Sequence, residues 1–129
     1  MPRADRMRAQ MLKYLEGVEA GDVEAVVSLF ADSISVEDPV GGPPGTHVVG
    51  VDAVREFFRE GFETSHPRPQ REGSVVTTAG DEAAMAFTLR LELAGVVTEI
   101  DVIDVMRFDG EDRIISLRAF WNFREARRP

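Results

Sequence analysis

The sequence predicts an α+β domain, with helices packed on one face of a curved, mostly antiparallel sheet. Three observations predict it. Apolar residues recur at helical spacing in the first part of the chain. They alternate with polar residues through most of the remainder. The dipeptides Ala94-Gly95 and Asp109-Gly110 separate the alternating runs, as turn residues do in antiparallel hairpins. Helices followed by a meander form two packed layers. A curved sheet of this kind can wrap around its helices and leave an apolar hollow between them. The 129 residues suffice for one domain that buries roughly two-thirds of its unfolded surface.

Taken in order, Met7, Met11, Tyr14, Leu15 and Val18 make the apolar stripe of a first helix. Gly21 suits its end, and Asp22 can cap the next helix. That second helix is expected to bury Val23, Val26, Val27 and Phe30. A short extended piece, "ISVED", follows, and Pro39 disfavours helix at Asp38. "DPVGGPPGTHVVG" reads as a long turn-rich loop shaped to border something. Asp52 to Glu60 is a third helix, with Val51, Val54, Phe58 and Phe62 on one side.

"REGSVVTTA" is a weak strand. "AAMAFTLRLEL" alternates well, with Met85, Phe87, Leu89, Leu91 and Leu93 on one face. "EIDVIDVMRF" puts Ile100, Val102, Asp104, Met106 and Phe108 on one face, and Asp101 with the other charges on the opposite one. In "RIISLRAFWNF", Ile115, Leu117, Ala119, Trp121 and Phe123 share a face. "FREGFE" and "DGED" read as solvated faces, and the basic "REARRP" as a solvated tail.

Composition narrows the function. A net charge of −8 argues against nucleic acid, which needs a basic surface. The charged start "MPRADRMRAQ" lacks the apolar run of a signal peptide, and no window approaches a membrane span. Without cysteine there are no disulfides or thiolate metal sites, and a cytoplasmic location is expected. His47 and His66, the only histidines, lie in loop sequence with no metal-ligand pattern around them, so no metal is expected.

Three polar side chains remain as candidates for chemistry. Asp104 sits among four apolar residues, where an unpaired carboxylate is costly enough to become neutral. Either it pairs with a core-reaching arginine such as Arg90 or Arg118, or it is neutral and serves a pocket. Tyr14, the only tyrosine, is either a core residue bonded to a backbone carbonyl or a hydrogen-bond donor to a ligand. Asp38 is either a turn residue or a base. Trp121 is either core or the wall of a cavity. Together, an ionised loop carboxylate could take a proton while a phenol and a neutral carboxylic acid donate to an oxyanion. That division of labour suits proton abstraction next to a carbonyl.

Two long runs, "AGDVEAVVSLFADSISVEDPVG" and "DVIDVMRFDGEDRIISLRAFW", resemble the bacterial ketosteroid isomerases, and the resemblance spans nearly the whole chain. It implies a cone-shaped α+β roll shared with nuclear transport factor and scytalone dehydratase. Three N-terminal helices would lie on a strongly curved, mixed, mostly antiparallel sheet enclosing an apolar pocket. It also implies a homodimer, no cofactor, and conversion of a Δ5-3-ketosteroid to its conjugated Δ4 isomer. The family's general base, the aspartate of "VEDP", falls on Asp38. Its oxyanion tyrosine, on the first helix before the "GD" turn, falls on Tyr14. Its second oxyanion donor, the aspartate of the "ID" pair preceding "RF", falls on Asp104. The family's pocket walls match Phe87, Leu117 and Trp121, and Phe58 is counted with them. Some members carry further tyrosines behind the first. The corresponding positions here hold Phe30 and Phe58, so Tyr14 would act without a phenolic relay. Another lyase or isomerase on the same cone, or a steroid- or lipid-binding module without turnover, are the alternatives.

Overall fold

The computed structural model describes residues Met1–Pro129. Its elements are α1 (Arg3–Ala20), α2 (Val23–Val27), β1 (Phe30–Glu37), β2 (His47–Val49), α3 (Val51–Ser65), β3 (Arg68–Thr77), β4 (Glu82–Leu93), β5 (Val96–Phe108) and β6 (Ile114–Phe120). One six-stranded sheet runs β2-β1-β6-β5-β4-β3. Only β1 and β6 pair in parallel; every other ladder is antiparallel. Three helices on a mixed, mostly antiparallel sheet are the cone architecture that the resemblance implies.

The helices form where periodicity places them. Met7, Met11, Tyr14, Leu15 and Val18 are all buried. Gly21 ends α1 in the left-handed region at φ 64°, which favours glycine. The Asp22 carboxylate then accepts from Ala25 N at 3.0 Å and caps α2. Gly17 lets the two helices close on each other, since a Cβ there would stand 2.8 Å from Val26 Cγ2. Arg3 and Arg6 reach across the molecule to Asp112 at 2.6 and 2.7 Å, and Gln10 donates to its carbonyl at 3.0 Å. These bonds tie α1 to the β5–β6 turn.

Several expectations need correction. The second helix stops at Val27, and Phe30 opens β1 instead of closing the helix. Pairing of Phe30 with Ile114 uses the backbone that a longer helix would have needed. Part of the long loop is a strand, because His47–Val49 finds β1 as partner. The third helix passes Gly61 and runs a further turn, ending at His66 ahead of Pro67. Phe123 leaves the strand for a short 3-10 turn and is 63% exposed. "DGED" is more than a solvated face, since Asp112 anchors α1. The basic tail folds back on β5, with Arg127 and Glu99 exchanging backbone hydrogen bonds of 2.7 and 2.9 Å.

Alternation holds along β4 and β5, whereas at the start of β6 a register shift buries Ile114 in place of the expected Ile115. Met85 and Phe87 on β4, and Ile100, Val102, Asp104, Met106 and Phe108 on β5, are buried on the face that carries the helices. Asp101, Ile103 and Arg107 point the other way and are exposed.

Candidate active site

A cavity of about 480 Å³ opens between α1, α3 and the concave face of the sheet. Strand register orders its lining by depth. Asp104 stands opposite Met85 on β4 and Ala119 on β6. Phe87 and Val102 form the next level outward, followed by Leu89 and Ile100 and then Leu91. Tyr14, Leu15 and Val18 face them from α1, and Phe57, Phe58 and Phe62 from α3.

Asp38, Tyr14 and Asp104 all line this one cavity, although they come from a strand end, a helix and a mid-strand position. Asp38 directly follows β1, whose parallel ladder with β6 places Glu37 beside Arg118. Its own N–H donates to Thr46 O at 2.8 Å, and Val40 N donates to Ala119 O at 2.9 Å. The chain therefore turns beside the two strands that hold Asp104 and Ala119.

Asp104 is 1% exposed, and its Oδ2 has no hydrogen-bond partner. The arginine partners considered from sequence are engaged elsewhere: Arg90 with Glu99 at 3.3 Å and Arg118 with Glu37 at 3.1 Å. Burial raises the Asp104 pKa well above the usual carboxyl value, and the charge of Asp38 pushes it further. Tyr14 is raised above a normal phenol, first by burial and then by Asp104 and Asp38. Its ring meets Phe58 edge-on at 6.2 Å and Phe30 at 6.4 Å, so the two phenylalanines enclose the phenol with apolar edges. Asp38 is also raised by burial, while a hydrogen bond from Trp121 acts in the opposite direction.

That last bond was not legible in the sequence. Trp121 Nε1 donates to Asp38 Oδ1 at 2.6 Å. Trp121 does line the cavity, as do Phe87 and Phe58. Alternation could place its ring but not its N–H, because the partner lies 83 residues away. Leu117 does not line the cavity. It pairs with Met106 and Val36, and all three are wholly buried, so its side chain fills the core under the sheet. "FREGFE", read as a solvated face, supplies Phe58, Glu60, Gly61 and Phe62 to the lining. The clue was the aromatic spacing, which continues past Gly61 at helical intervals.

The arrangement sets two carboxyls and a phenol, all with pKa values raised by burial and Asp38 offset by the Trp121 hydrogen bond, beside a long apolar wall. A cavity of this lining suits a mostly apolar ligand with a polar end.

Fold and cavity together define a cone-shaped pocket protein. The chain belongs to the SnoaL-like domain family, whose model matches residues 11–117. It is similar to a steroid Delta-isomerase of Nocardioides simplex, 30% identical over 115 residues, or 89% of each chain. Among solved structures it is similar to SalBIII, an epoxide hydrolase/cyclase-like enzyme with a role in pyran ring formation in polyether salinomycin. The TM-score is 0.84, with 24% identity over 95% of each chain. It is also similar to RV0760c from Mycobacterium tuberculosis in complex with estradiol-17beta-hemisuccinate. There the TM-score is 0.84, with 24% identity over 98% of this chain and 99% of that one. At these identities the two structures speak for the fold alone. No helix is long and apolar enough to cross a membrane.

Proposed function

We propose that this protein is a ketosteroid isomerase, moving the double bond of a Δ5-3-ketosteroid into conjugation with its carbonyl. One observation carries the reading. A buried carboxyl with an unpartnered oxygen, Asp104, faces the same apolar cavity as the only tyrosine and a second carboxyl, Asp38, whose pKa is raised less and which therefore ionises first. The Nocardioides simplex relative supports the substrate class.

In this mechanism Asp38 removes a proton from the carbon between carbonyl and double bond. Negative charge moves to the carbonyl oxygen, where the Tyr14 hydroxyl and protonated Asp104 donate to it. Asp38 then returns the same proton two carbons further along. Atoms balance without a cofactor, since the proton lost from one carbon is gained by another. The raised pKa of Asp38 suits a base that must also give its proton back. By donating to one oxygen, Trp121 leaves the other free to face substrate. The steroid rings lie against Phe87, Trp121, Phe58 and the leucines of β4.

The test is enone absorbance with 5-androstene-3,17-dione. Wild type is expected to produce the signal. Asp38→Asn is expected to lower turnover about a thousandfold or more, roughly 4 kcal/mol of barrier, with steroid binding kept. Binding without turnover by the wild type would make the protein a steroid-binding module instead.

We further propose a homodimer through the outer face of the sheet. Ile103 and Phe120 pair directly across β5 and β6 and are 49% and 41% exposed. A depression lined by Val40, Ala86, Ile103 and Phe120 surrounds them. A second copy related by a two-fold axis would cover this patch. A monomer in sedimentation at micromolar concentration would count against it.

A further inference from the structure

The outer end of the cavity differs chemically from both its floor and its walls. It is formed by the last turns of α3, where Glu60, Thr64 and Ser65 join the lining with Gly61 and Pro67. Pro67 precedes Arg68, whose partner across β3 and β4 is Arg90. This rim therefore lies at the level of Leu91, several residues outward from Asp104 along the same ladder. Phe58 touches Tyr14, and Ser65 lies seven residues further along the helix, about 10 Å by helical rise. A rigid ligand with its carbonyl against Tyr14 extends its opposite end toward this rim.

Every polar group on the rim is an acceptor. The Thr64 hydroxyl donates to Glu60 O at 2.8 Å, and the Ser65 hydroxyl to Gly61 O at 2.6 Å. With their protons turned to the helix carbonyls, these hydroxyls offer their lone pairs to the cavity as acceptors. Glu60 adds a carboxylate. The C-terminal end of α3 adds partial negative charge, and no basic residue occupies its last turn. No lysine, arginine or histidine lines the cavity anywhere. The neighbouring guanidiniums of Arg59 and Arg68 are turned to Glu56, Glu63 and Glu19.

We infer that this rim is a specificity filter, with Glu60, Thr64 and Ser65 selecting steroids whose far end donates a hydrogen bond and rejecting those whose far end is an anion. A hydroxyl there finds acceptors, a ketone finds no donor, and a carboxylate meets like charge. The orientation rests on the isomerase reading, because it is the oxyanion donors that draw the carbonyl to the floor.

Equilibrium binding separates the two ideas. The readout is fluorescence of Trp121, the only tryptophan, which lines the cavity. The probes are testosterone, 4-androstene-3,17-dione and 3-oxo-4-androstene-17β-carboxylic acid at pH 8. The acid is expected to bind about tenfold or more weakly than the dione, as like charges within a few ångströms require, and testosterone at least as tightly as the dione. Glu60→Gln should recover a few-fold of the acid's loss and leave the dione nearly unchanged. Ser65→Ala should weaken testosterone more than the dione. Equal binding of acid and dione, or an acid affinity indifferent to Glu60→Gln, overturns the filter. If no probe binds, the filter and the isomerase reading both fall. If the ranking holds but Δ5 steroids are not turned over, the filter stands and the isomerase reading fails.

Discussion

Asp104 and Asp112 lie eight residues apart on one hairpin, and their surroundings are opposite. Asp112 is gripped by two guanidiniums, and hydrogen bonds from Arg6, with the charges of Arg6 and Arg3, lower its pKa. Asp104 has no cation near it, and burial raises its pKa. The difference separates an acid that helps hold the fold from one that the fold tolerates. Asp112 fastens the first helix to the sheet. Asp104 occupies a position where an apolar side chain would be easier to bury, and it lines the cavity with one oxygen unpartnered.

The pH dependences of the two residues have opposite signs. The unfolded chain releases protons from both near 3.8. Asp112, with its lowered folded value, contributes stability that is present above 3.8 and lost as pH falls through that lowered value. Asp104, with its raised value, contributes stability present below 3.8 and lost as pH climbs through the folded value.

The sharpest test of this contrast is at Asp104. Asp104→Ala is expected to lower turnover by roughly a hundred- to a thousandfold, about 3–4 kcal/mol, whereas Asp104→Asn keeps a neutral donor and much of the activity. Asp104→Asn should also flatten the stability loss between pH 4 and neutrality, measured as Tm against pH. If the Asp104 carboxyl ionises below about pH 6 in a carbon-detected NMR titration, it belongs with Asp112 after all.

Tyr14→Phe asks whether the phenol belongs with Asp104. Turnover is expected to fall about a hundredfold with substrate affinity nearly unchanged, because the hydrogen bond strengthens as charge develops on oxygen. Lost affinity with intact turnover would make Tyr14 a binding group.

A smaller effect is expected at Trp121, which acts through Asp38. Trp121→Phe should lower turnover about tenfold. It should also shift the acid limb of the kcat/KM profile to higher pH, since the indole N–H lowers the Asp38 pKa. An unshifted limb would leave Trp121 as a wall only.

Asp112→Asn is the control on the other side. Turnover should stay within about twofold of wild type, as for a surface change remote from the reacting groups. Tm should drop at neutral pH, and that drop should shrink as the pH is lowered. A large loss of turnover would mean that the clamp on α1 governs the placement of Tyr14 directly.

How far the sequence alone reaches follows the range of each interaction. Period-two alternation singles out Asp104 over Asp101, because both faces of β5 are determined by its own residues. The stripe that buries Tyr14 is equally local. His47–Val49 could not be read as a strand, since three residues become β2 only by pairing with β1. Glu60 fell within "FREGFE", read as a solvated face, and Thr64 and Ser65 lay past the expected helix of Asp52 to Glu60, which the packing of Phe58 and Phe62 on the core carries on to Ser65. Leu117 and Trp121 fall on one face by sequence alternation, yet Leu117 is sealed under Met106 and Val36 while Trp121, just past the end of β6, reaches Asp38. Alternation assigns a side, not a depth.

The parallel pairing of β1 with β6 also bears on the order of assembly. The β4–β5 hairpin closes over a few residues, from Leu93 to Val96. The contact between Val36 and Leu117 closes a loop of about eighty residues, and Asp38 with Trp121 a similar one. Loop closure of that span costs more chain entropy and forms more slowly than local pairing. The hairpin can therefore be in place while Asp38 is still apart from its indole donor, and the clamp of α1 on Asp112 closes a longer loop still, with separations of 102 to 109 residues. The one tryptophan of the chain sits on the β1–β6 seam, so its emission is expected to report that long-range closure separately from local collapse.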